Sequence, residues 1–156
     1  MKILVLIFLC VQLVAQSPNS NSDASKFPGV WDLVSIDVRW PDGRVEQYWG
    51  KNPVGRITYD TKGRMSALLM TADRNQSDGK KIQADIQSMA AGYYGSYTVD
   101  PSRQVVTHKV EASIRASESK TLERSYVFKD STLELTAHMT LNEKPATVVL
   151  LWKRQP

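Results

Sequence analysis

The stretch GRITYDTKGRMSALLM, residues 55–70, decides how the chain is read. A β-favouring run over 55–60 meets a Thr-Lys-Gly break and resumes over 64–70. Gly63 can take the positive φ that a tight hairpin loop demands. Ile57 and Tyr59 share one face of the first strand, and Arg56 and Thr58 share the other. On the second strand Met65, Ala67 and Leu69 alternate with Ser66, Leu68 and Met70. Neither face of that strand is polar throughout, which suits a wall covered on both sides. Methionine adapts to irregular apolar shapes, so Met65 fits a tolerant pocket and ordinary packing equally.

The same grammar extends outward. Short β-type segments follow at 30–40, 45–49, 96–100, 105–114, 122–129, 132–139 and 147–153, separated by turn chemistry such as Pro41-Asp42-Gly43. One segment changes period: Ile82, Ile86, Met89, Ala90 and Tyr93 lie on a single helical stripe, with Asp78 able to cap its start and Gly92 or Gly95 its end. The spacing therefore predicts one α-helix around residues 79–93 among about nine strands. The expected fold class is mainly β, an antiparallel up-and-down barrel of about eight to ten strands. A two-sheet sandwich is the competing arrangement.

The first 16 residues read differently. MKILVLIFLCVQLVA carries Lys2, then an unbroken apolar run from Ile3 to Cys10, too short to cross a bilayer comfortably. Residues 1–16 are expected to be a cleaved signal peptide, residues 17–26 a flexible Ser/Asn-rich leader, and residues 27–156 one domain. The protein is thus expected to be secreted or periplasmic, with no stable membrane insertion after cleavage. Cys10 is the sole cysteine, so the mature chain has no thiol chemistry and no disulfide. Its 20 Lys and Arg against 16 Asp and Glu are scattered, without the basic stripe of a nucleic-acid binder. The 2 histidines, with no third ligand at a telling spacing, give no metal site, and no cofactor motif is present.

Taken together, GVWDLVS at 29–35, the hairpin at 55–70, GSYTVD at 95–100, VVTHKVEASI at 105–114, ERSYVF at 123–128 and LLWKR at 150–154 resemble the bacterial lipocalin-like domain. The resemblance implies a lipocalin-like (calycin-type) β-barrel with an internal cavity, and implies no particular reaction. It also gives Trp31, in Gly29-Val30-Trp31, the role of closing one barrel end against an arginine from a late strand, with Arg124 and Arg154 as candidates.

His108 alternates with Val106, Val110, Ala112 and Ile114 on what should be the buried face. It is either a ligand or proton-transfer group or a core histidine bonded to a neighbour. Glu111 cannot be its acid–base partner without a bulge, because three residues along a regular strand place the two on opposite faces. The leading functional expectation is a small apolar or amphipathic molecule held inside the barrel, with Tyr59, Met65, Tyr97, His108 and Arg124 as contacts. The alternatives are a cofactor-free cyclase or isomerase using His108, and a filled barrel that holds nothing.

Overall fold

A computed structural model describes residues 21–72, 90–115, 120–141 and 143–156. After one helical turn, α1 (Asn21–Ala24), nine strands follow: β1 (Gly29–Arg39), β2 (Val45–Gln47), β3 (Val54–Tyr59), β4 (Arg64–Met70), β5 (Ala90–Asp100), β6 (Val105–Ser113), β7 (Thr121–Lys129), β8 (Thr132–Leu141) and β9 (Lys144–Arg154). All pairings are antiparallel: β1 pairs with β2 and β3, β3 through β9 pair in succession, and β1 also pairs with β9. That pairing closes an eight-stranded barrel of β1 and β3 through β9, with β2 added to the C-terminal half of β1. Closure leaves no long edge exposed, which is why a run of short consecutive strands favours it.

The hairpin at 55–70 forms with Tyr59 opposite Met65 and Val54 opposite Met70. Gly63 takes a φ of +79°, and Asp60 Oδ1 accepts from the backbone N–H groups of Lys62 and Arg64 at 2.8 Å each. Met65, Ala67 and Leu69 face inward and are buried. The outer face is not covered along its length, since Arg64, Ser66 and Leu68 are exposed.

The helix expected around residues 79–93 is corrected. Its last four residues begin β5, where Ala90 to Tyr93 pair with Met70 to Ala67, and residues 79–89 lie outside the described residues. No helix longer than one turn occurs among the described residues. The stripe misleads because Ala90 and Tyr93 satisfy a period near four by coincidence, while the burial there alternates. Gly92 and Gly95 are not helix stops. A Cβ at Gly95 would stand 2.0 Å from the carbonyl oxygen of Lys109, so this glycine lets β5 and β6 approach at the bulge between Tyr94 and Gly95. Residues 1–20, which include the expected signal peptide, also lie outside the described residues.

Candidate functional site

The two barrel ends differ. At the end holding the start of β1 and the end of β9, aromatic rings fill the interior. Phe27 is edge-on to Tyr59, Tyr126 and Phe128, at centroid distances of 5.3, 5.0 and 5.0 Å. The indole N–H of Trp31 donates to the Phe27 carbonyl at 3.0 Å. Of the two candidate arginines, Arg154 covers Trp31, with its guanidinium carbon 4.1 Å from the ring centroid. It also donates to the carbonyls of Pro28, at 2.9 Å, and Lys26. Gly29 explains itself here: its φ is +141°, and a Cβ would lie 2.4 Å from Arg154 Nη1. A guanidinium over indole adds about 0.5–2 kcal/mol.

Above this plug sits one polar layer. His108 is fully buried on β6, with its Nε2 2.8 Å from the Tyr59 hydroxyl and its Nδ1 3.1 Å from the Tyr93 hydroxyl. Burial pushes the imidazole down to about 3, and the positive charge of Arg124 adds to the effect, so the ring is neutral at physiological pH. Burial likewise holds the Tyr59 hydroxyl well above its ordinary value. Tyr97 takes another route: its hydroxyl donates to the Asp60 carbonyl at 2.8 Å and staples the β3–β4 turn to β5.

Over His108 a cavity of about 150 Å³ opens toward the opposite end. Its walls are Ile57, Leu69, Leu135, Ala137, Leu150 and Trp152, with Tyr48, Trp49 and Arg115 toward the rim. His108, Tyr93 and Arg124 are its polar groups deeper in. Arg124 points inward because Leu122, Arg124, Tyr126 and Phe128 share the inner face of β7. At the rim, Arg115 Nε donates to the Ala90 carbonyl at 2.8 Å, and its guanidinium lies over the Trp49 ring.

The family model of the lipocalin-like domain matches residues 28–155. The chain belongs to the lipocalin-like domain family. No curated protein matches the chain.

Of the five contacts expected for a ligand, this lipocalin-like barrel brings His108 and Arg124 to the cavity. Tyr59, Met65 and Tyr97 sit in the packed layer beneath its floor. Trp31 and Arg154 lie at the plugged end. Several lining groups are not among the expected contacts, Tyr93 and Trp152 deeper in and Tyr48, Trp49 and Arg115 at the rim. Tyr93 was absorbed into the helical stripe, although the alternation of GYYGSYTV carries it. Trp152 shares a face with Leu150 and Arg154 in LLWKR, which was signal enough to place it inside. Among the described residues no group of three His, Cys, Asp or Glu could hold a metal ion.

Proposed function

We propose that the protein is an exported container that holds one small apolar or amphipathic molecule in this cavity. The observation that carries the reading is the mostly apolar space left open above His108, while the other end of the same barrel is packed with rings. Side chains able to close it are absent from the lining at two places, where Ala91 and Ala137 stand. The volume is comparable to cavities that take a benzene-sized molecule, and the rim position of Tyr48, Trp49 and Met139 allows a longer apolar body to extend outward. Export rests on Lys2 and the apolar run that follows it.

The cyclase or isomerase reading fits less well. Both ring nitrogens of His108 are within hydrogen-bond distance of tyrosine hydroxyls, and the ring stays neutral far below physiological pH. An imidazole so engaged has no nitrogen left for a substrate proton.

The test is displacement of an environment-sensitive fluorescent lipophile, run beside native mass spectrometry of freshly purified protein. Binding that is lost in Ala137→Leu or Ala91→Leu, with the fold intact by circular dichroism, supports the reading. Absence of any bound species together with absence of probe binding contradicts it.

A further inference from the structure

We infer that the cavity selects an apolar monoanion: a molecule with one carboxylate-like head received by Arg124 and the Trp152 indole N–H, and a short apolar body along Leu135, Ala137 and Leu150. This rests on the reading that the cavity holds a ligand, and adds the ligand's charge.

The first observation is the sign of the lining. Arg124 and Arg115 contribute two guanidinium groups, and no Asp or Glu among the described residues lines the space. The ion pairs found among the described residues join Asp23, Asp32, Asp42, Glu46 and Asp60 to Lys26, Arg56, Arg44 and Arg64, and involve neither cavity arginine. The hydrogen bond found for Arg124 runs from Nη1 to the neighbouring Glu123 carbonyl at 3.0 Å, a contact that leaves its charge uncompensated. Neutral His108 supplies no counter-charge either.

The second observation is independent of charge. The N–H of Trp152 is buried without a hydrogen-bond partner among the described residues, and its indole lines this cavity. A buried donor left unmet costs about 1–3 kcal/mol, so native structures seldom tolerate one without a guest or water. A guanidinium and an indole N–H both give and neither accepts. The site is therefore short of acceptors and of negative charge together, and a carboxylate supplies both. Low-dielectric walls strengthen the attraction between Arg124 and such a head. Two considerations set the net charge at one. Arg124 is the cation whose charge reaches buried His108, whereas Arg115 is held at the rim by Ala90 and Trp49. The remaining lining, apolar apart from His108 and two tyrosines, would not solvate a second charge.

The test compares octanoate with 1-octanol, equal in chain length, the first anionic and the second neutral, by calorimetric titration of the full folded chain near neutral pH. Octanoate is expected to bind roughly tenfold or more tightly. Arg124→Met should erase that preference while leaving 1-octanol within about threefold of its original affinity. Arg124→Lys, which keeps the charge, should retain a preference for octanoate, and serves where the methionine variant does not fold. If 1-octanol binds as well as octanoate, the anion inference is overturned and the container stands. If octanoate is preferred but Arg124→Met leaves the preference intact, the assignment to Arg124 is overturned. If neither binds, the container falls with it.

Discussion

The Tyr59 hydroxyl lies 2.8 Å from Nε2 of His108, and Tyr59, at 2% exposure, shows no other hydrogen-bond acceptor among the described residues. Its hydrogen must therefore go to Nε2, because the alternative strands a buried O–H. His108 then carries its own proton on Nδ1 and donates it to Tyr93 at 3.1 Å. Nitrogen-15 NMR should show a neutral, Nδ1-protonated imidazole. An Nε2-protonated ring would reverse the direction of this chain. Tyr59→Phe leaves Nε2 without a donor and should cost about 1–3 kcal/mol in urea unfolding.

The same burial makes stability depend on pH. His108 titrates at 6.5 when exposed and is pushed down to about 3 in the fold, so between these values the unfolded chain binds the extra proton. Stability from this group is complete above about pH 6.5 and declines as pH falls toward about 3. At about pH 4.5 the loss should be of the order of 3 kcal/mol relative to neutral pH. Asp42, Asp60 and Asp100, held below their usual range chiefly by hydrogen bonds from Arg44, Arg64 and Ser102, act in the same direction. The contribution of His108 is isolated by comparing wild type with His108→Gln. Equal pH slopes in the two would refute the assignment.

At the plugged end, Gly29 and Arg154 depend on each other. Gly29→Ala forces a φ of +141° on a residue with a Cβ and drives that carbon against Arg154 Nη1. The guanidinium cannot swing aside freely, because it is bonded to Pro28 and stacked on Trp31. A loss of about 2–3 kcal/mol is expected in thermal or urea unfolding. A neutral effect would mean that Arg154 is not held where the structure places it.

Two glycines of β5 should behave unequally. Gly95→Ala meets a backbone carbonyl at 2.0 Å and should cost about 3 kcal/mol or more by separating β5 from β6. Gly92→Ala meets the movable Leu68 Cδ1 at 3.1 Å, and its cost should be under about 1.5 kcal/mol. The order of the two midpoints checks the bulge directly.

These residues also show how far the sequence could be read. The two strands and the turn of the hairpin at 55–70 were legible, because a local turn and alternation specify both strands without help from elsewhere. The burial of His108 was legible from its alternation with Val106 and Val110. Ala112 and Ile114, expected on the same buried face, are exposed because the β5–β6 register shifts between Val110 and Ala112. The start of β5 was not legible: Ala90, Gly92 and Gly95 make sense only against Met70, Leu68 and Lys109 on strands that flank it, and a single segment cannot announce its neighbours. The cavity was least legible of all. Its lining converges from strands far apart in the chain, so Trp152 on β9 comes to share a cavity with His108 on β6 only once the barrel closes, whereas Tyr93 reaches His108 through the adjacent β5–β6 pairing.

The most direct measurement of the central claim is isotope-filtered NMR on the labelled protein with an aliphatic probe, octanoate or 1-octanol. Nuclear Overhauser contacts from the probe to the Ala137 and Leu135 methyl groups and the Trp152 ring are predicted, since these line the hollow. Contacts confined to outward residues such as Leu68 and Tyr94, or none at all, would contradict it.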